Sequence, residues 1–121
     1  CAGAAGGLPF GLMAATGARL LPGFDLVSTW LDLEAKIAAA DVIITGEGRF
    51  DQSSLSGKGP GAVAARGRAL GKPVHVFAGA VTVTAPAPDG LTLHPITPPH
   101  TPLPEALRQA AANLGAAVSK I

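Results

Sequence analysis

Four ionisable residues, Glu47, Arg49, Asp51 and Lys58, share one glycine-studded stretch, VIITGEGRFDQSSLSGKGP (residues 42–60), in a chain that is otherwise nearly half apolar. Two carboxylates and two cations brought together are equipment for phosphoryl transfer. That reaction needs positive charge for the phosphate oxygens and a carboxylate to hold a metal or take a hydroxyl proton. Asp51 is the first candidate for metal or substrate hydroxyl, and Glu47 the second. Arg49 offers a planar fork for phosphate or carboxylate. Lys58, just ahead of a helix opened by Pro60, would meet an anion held at that helix N-terminus. Gly46 and Gly48 stand where a hydrophobic strand is expected to end, and their missing side chains let backbone N–H groups approach a bound anion. The competing reading is a solvated surface loop whose ion pairs contribute little.

Two familiar phosphate loops are excluded by spacing. A dinucleotide fingerprint needs a glycine three residues after Gly48, where Asp51 stands; a Walker loop needs Ser or Thr after its lysine, where Gly59 stands, and Gly48 and Gly57 are too far apart. The opening AGAAGG could cradle a ligand through the amides of Gly3, Gly6 and Gly7, or simply let two elements pack closely. His75, His94 and His100 show no metal-ligand spacing. His75 reads as a core imidazole inside a buried strand, and the other two, beside prolines, read as surface residues. Ser53, Ser54 and Ser56 have no nearby His partner, so loop hydrogen bonding or helix capping is their expected work. Cys1 has no evident activator, and Met13 and Trp30 are expected in the core.

These residues need elements to position them. Ala4 to Ala18 predict a tight glycine loop and a short buried helix ending near Gly17. Pro22 and Gly23 mark a turn after which Asp25 can cap a helix. Leu26 to Ala39 fit one or two short helices, with Asp32 as a second cap. ADVIIT predicts a central parallel strand buried on both faces and ending by Gly46. A helix from Pro60 to about Leu70 and a second buried strand, PVHVFAGAV, complete a βαβ unit. Seven of the eleven prolines fall in residues 84–104. That section is read as loop with at most one short strand, LTLHPIT, which Pro95 would confine to a sheet edge or break. The last helix, Glu105 to Lys120, carries an apolar stripe for packing on the sheet. The fold class is therefore α/β, a parallel sheet flanked by helices.

The totals narrow the function further. The chain has 121 residues and a formal charge of +1, one domain's worth at most and without the basic surplus expected for nucleic acid or anionic membranes. No apolar run approaches the roughly 18 residues needed to cross a bilayer. One cysteine excludes an internal disulfide and suits a reducing compartment, so a cytoplasmic location is expected. The opening residues lack a basic start and are not expected to be a signal peptide. The chain opens on Cys1 rather than Met, so a processed chain or a piece of a longer protein is expected.

The runs GAAGGLPFGLMAATGARLLPG, ADVIITGEGRFDQSSLSGKGPGAVAARGRALGKPV and AGAV, in that order, closely resemble the C-terminal third of bacterial glycerate kinases. The resemblance extends from the first residues to about Val81 and returns weakly in the last helix. It implies a flavodoxin-like (Rossmann-like) α/β portion of a two-domain enzyme whose active site lies between domains. It also implies ATP with Mg2+ as cofactors and D-glycerate as substrate. Glu47, Arg49 and Asp51 match the family's charged cleft motif, Lys58 matches the lysine after it, and Gly3 to Gly7 match its glycine-rich element. Members are much longer, and their N-terminal portion carries further active-site motifs absent here. Residues 1–121 are therefore expected to be a single α/β segment, the C-terminal portion of the enzyme, inactive without the remainder. A homodimer and the identity of the phosphorylated hydroxyl stay open. The competing hypothesis is a stand-alone nucleotide- or anion-binding module without turnover.

Overall fold

A computed structural model describes residues 3–56, 59–83 and 86–121. The chain divides after Leu31 into two units, each described here by itself. In the first, a 3-10 turn over Ala4–Gly7 carries three consecutive positive φ angles, at Ala5, Gly6 and Gly7, and leads into α1, Leu8–Thr16. Gly17 closes α1 with an N–H bond of 3.0 Å to the Met13 carbonyl. The expected glycine loop and helix are both present, but the helix is not buried. Leu8, Phe10, Leu12 and Met13 are all exposed, and Trp30 is 72% exposed, so Met13 and Trp30 are not core residues. Two short helices offer too little opposing surface to enclose these side chains. A helix apolar on all sides has the composition for burial in a larger body.

The second helix, α2, spans Gly23–Trp30 and begins earlier than expected. Asp25 sits inside its first turn rather than capping it, and the Pro22 carbonyl takes the Leu26 N–H at 3.2 Å. There the carboxylate complements the positive end of the helix.

The second unit opens with Asp32 at the cap position of α3, Leu33–Ala39. Asp32 has a left-handed backbone (φ 50°) and makes no side-chain capping bond; its carbonyl accepts the Lys36 N–H at 3.2 Å. β1 (Ile43–Phe50), α4 (Gly59–Ala69), β2 (Val74–Val81), β3 (Leu91–Pro95) and α5 (Leu103–Val118) follow. The strands form one parallel sheet in the order β1-β2-β3, with Ile43 opposite Val74 and Val74 opposite Leu91. Pro95 ends β3 at the sheet edge, as its missing donor requires.

β1 corrects the sequence reading in two ways. It runs past Thr45 to Phe50, so Gly46, Glu47, Gly48 and Arg49 lie in a strand and only Asp51 onward lies in the loop. It is also an edge strand among the described residues, with Ile44 exposed, whereas β2 is the central, largely buried strand. β-branched residues at 43–45 start the strand, and hydrogen-bonded pairing with β2 carries it on through two glycines that propensity alone would call a break.

One face of the sheet packs on α4, which in turn packs on α3. Ile37, Ile43, Phe50, Ala64, Val74, Val76, Ala78 and Leu91 form this core. Phe50, Val74 and Val76 are its fully buried anchors, each contributing about 1.5–3 kcal/mol by leaving water. The other face, that of Ile44 and Phe77, lies under α5. α5 packs loosely: Leu103 and Leu107 remain exposed, and no residue of the helix is buried.

Candidate active site

The carboxyl end of β1 is held by Phe50, which has no exposed surface, and by the Thr82 N–H bonding its carbonyl at 2.9 Å. Asp51 therefore leaves the sheet from a fixed point. It starts a tight turn: its Oδ1 accepts the Ser53 N–H at 2.8 Å and the Ser53 hydroxyl at 2.6 Å. The Asp51 N–H bonds the Ser54 hydroxyl at 3.2 Å, and its carbonyl accepts the Ser54 N–H at 3.0 Å. The Ser53 hydroxyl, then the Ser53 and Ser54 amides, and finally the Arg49 charge hold the Asp51 carboxyl below the usual carboxylate value, with slight burial opposing them. The serines do the loop hydrogen bonding expected of them. Their effect is to favour the charged form of Asp51.

Glu47 and Arg49 stand two residues apart on β1 and line a cavity of about 720 Å³ between the sheet and α5. Gly48, Gly79, Ala80, Ile96, Thr97 and Thr101 also line it, and Leu103, Ala106, Leu107 and Ala110 of α5 form its roof. Sequence reasoning missed this roof, because a helical stripe says which side is apolar and not how closely it seats. One oxygen of Glu47, Oε1, is buried with no hydrogen-bond partner among the described residues. Leaving a buried acceptor unsatisfied costs about 1–3 kcal/mol, so a donor from outside the described residues is called for.

The glycines have a local reason to be where they are. A Cβ on Gly46 would lie 2.6 Å from the Phe77 carbonyl oxygen, and one on Gly79 would lie 2.5 Å from that of Gly48. No side chain fits between these strands. At Gly48 the corresponding space is open. β1 has a strand neighbour on one side only among the described residues, so amides along its other edge carry no strand partner. Gly3, Gly6 and Gly7 belong to the first unit and Glu47 to Asp51 to the second. Lys58 and Cys1 lie outside the described residues.

One histidine departs from expectation. His94 is not a surface residue: it is half-buried, 2.9 Å from His75 (Nε2 to Nδ1), and its ring stacks on Phe77 at 4.5 Å between centroids. The parallel register that sets Phe77 opposite His94 makes this pair, and nothing local in the sequence announces it. Burial, then the neighbouring His75, pushes the His94 imidazole below its ordinary value. Among the described residues, no group of three or more His, Cys, Asp or Glu is placed to hold a metal, and no helix is long and apolar enough to cross a membrane.

A parallel sheet with a carboxylate turn at a strand end and a lined cavity beside it defines an open-sheet α/β protein, a class that binds ligands beyond the carboxyl ends of its strands. A model of the glycerate kinase family matches residues 1–121. The chain belongs to the glycerate kinase family. It is 47% identical over 81 residues to the glycerate 2-kinase of Escherichia coli K12, covering 67% of this chain and 21% of that protein. It is 38% identical over 113 residues to the glycerate kinase of Bacillus subtilis 168, covering 91% and 30%. A crystal structure assigned to glycerate kinase 2 of Salmonella typhimurium LT2 superposes with a TM-score of 0.57 at 33% identity, over 98% of this chain and 32% of that one. The chain thus spans 21% to 30% of the length of these curated relatives.

Proposed function

We propose that this chain is the C-terminal portion of an enzyme that phosphorylates D-glycerate with ATP and Mg2+, and that it is inactive without the remainder. The family match over residues 1–121 carries this reading. The exposed apolar side chains of α1 and α2, among them Phe10 and Trp30, support the second part, since such surface is usually covered.

In the proposed reaction a glycerate hydroxyl oxygen bonds to the γ-phosphorus of ATP as the bond to the β,γ-bridging oxygen breaks, and the hydroxyl proton passes to a carboxylate. Asp51 has the position for this work, at a strand end, and hydrogen bonds from Ser53 favour its carboxylate form. Its hard oxygen donors also suit Mg2+, which is commonly held by one or two carboxylates together with phosphates and water. When bound, the ion would neutralise charge on the phosphates. Arg49 supplies a fork for phosphate oxygens or the glycerate carboxylate, Lys58 a second cation, and Glu47 an acceptor for a ligand hydroxyl. Amides of Gly46 and Gly48 would meet the nucleotide phosphates. A cytoplasmic location and a homodimer are in keeping with this role.

The test compares the full-length protein with residues 1–121 alone, in a coupled assay for ATP-dependent phosphorylation of D-glycerate. Turnover by the full-length protein only is expected. Full activity from the 121 residues, or none from the complete chain, would overturn the proposal.

A further inference from the structure

The half-buried histidines of β2 and β3 take no part in the candidate active site, and their geometry suits another task. His75 Nδ1 and His94 Nε2 lie 2.9 Å apart. The two ring planes are within 19° of each other, and their centres are 5.2 Å apart, the 2.9 Å contact plus about one ring radius at either end. The rings therefore meet edge to edge, each facing nitrogen aimed along the line at the other. A metal held by both would need the two lone pairs to converge on it from an angle, and among the described residues no third His, Cys, Asp or Glu joins them. The contact is a hydrogen bond, and it has room for one proton.

Acid acts on this bond in two steps. While both rings are neutral, one facing nitrogen carries the proton and the other accepts it. A first added proton enters at the outer nitrogen of the donor ring; the bond stays, and its donor becomes charged, which strengthens it. A second must enter at the accepting nitrogen. Two N–H groups and two positive charges then face each other, and repulsion replaces the bond. Such a pair titrates as a unit. Its surroundings add no further charge. By the strand register, the positions beside the two rings on this face are Ile44 and Gly46 of β1, Phe77 and Gly79 of β2 and Thr92 of β3. α5, over the same face, carries Glu105 and Arg108 and is followed by Lys120, but burial and His75 are the only causes of the lowered His94 value.

The bond holds a free edge of the sheet. β3 is five residues long and pairs with β2 alone among the described residues, and His94 is its last residue but one. Just past its end the Ile96 N–H bonds the Ala78 carbonyl at 2.9 Å. Ile96 and Thr97 then wall the 720 Å³ cavity and lead on to α5, no residue of which is buried. We propose that His75 and His94 are an acid-opened clasp: sharing one proton they hold β3 to β2, and a second proton releases the end of β3 and with it the Ile96 wall of the cavity. The clasp does not depend on the kinase reading, since it needs only the two rings and the strands that bear them.

The experiment follows amide hydrogen exchange and the histidine ring nitrogens by NMR in the full-length protein, from about pH 7.5 to about pH 5, on either side of the ordinary histidine value of 6.5. The Ile96 protection factor is expected to fall at least about tenfold across this range. That of Thr82, whose N–H bonds Phe50 on the β1 side of the sheet, should change by less than about twofold. The fall should coincide with the second of two titration steps in the ring nitrogens. His94→Phe keeps an aromatic ring against Phe77 but cannot share a proton, and it should abolish the fall. His75→Val, a residue suited to strands, removes the other ring with the same expected result and serves if His94→Phe does not fold. An Ile96 amide equally protected at both ends of the range, a fall that survives in a folded variant, or two rings that titrate independently would each overturn the clasp.

Discussion

The turn that carries Asp51 rests directly on α4, and a single methyl group should dislodge it. Gly61, in the first turn of α4, is buried against the Ser54 carbonyl. A Cβ built there overlaps that oxygen and lies 2.7 Å from the carbonyl carbon, inside the 3.0 Å limit that real Cβ contacts essentially never cross. The obstacle is backbone, so no rotamer change can relieve it; either α4 or the 3-10 turn Ser54–Ser56 must move. Ser54 exchanges two hydrogen bonds with Asp51, so the displacement is passed to the carboxylate. Overpacking of this kind costs about 1–3 kcal/mol, and a backbone clash belongs at the upper end. Replacing glycine by alanine within a helix returns about 1 kcal/mol. We expect Gly61→Ala to destabilise by about 2 kcal/mol net in urea unfolding of the full-length protein. The Ser54 amide should also lose hydrogen-exchange protection. Gly115→Ala in α5, where the added methyl meets nothing within 4 Å, is the control and should stabilise by about 0.5–1 kcal/mol. A Gly61→Ala protein as stable as the wild type, with Ser54 still protected, would refute the reasoning.

Three further outcomes are expected. Ser53→Ala removes the largest cause of the depressed Asp51 pKa, so the Asp51 carboxyl should titrate higher, by carbon-detected NMR, than in the wild type. Because the folded-state value lies below the unfolded one, the stability this group contributes is present above pH 3.8 and lost as pH falls through the folded value; Ser53→Ala should shrink that loss. His94, also depressed, contributes stability that is complete above its ordinary value of 6.5 and lost as pH falls through the folded-state value, so His94→Phe should flatten the fall in melting temperature below pH 6.5. Glu34 and Arg66 pair at 2.7 Å on the surface, with Glu34 60% exposed, so Glu34→Gln should change unfolding free energy by less than about 1 kcal/mol.

Much of this protein was legible from residue order alone. The βαβ unit, the sheet-edge strand stopped by Pro95, the closing helix with its apolar stripe and the charged cluster all follow from rules of short range: side-chain branching, missing donors, helical spacing. The family likeness was legible too, because the glycine-alanine start and the TGEGRFD block recur in a fixed order. Tertiary pairing decided the rest. β1 continues through Gly46 and Gly48 because β2 lies close enough to bond it, which turns Glu47 and Arg49 from loop residues into strand residues. His94 meets His75 through strand register, across 19 residues of chain that carry no local trace of the pairing. Met13 and Trp30 are exposed because an apolar side chain is buried only where other elements supply a second surface, and composition cannot say whether they do.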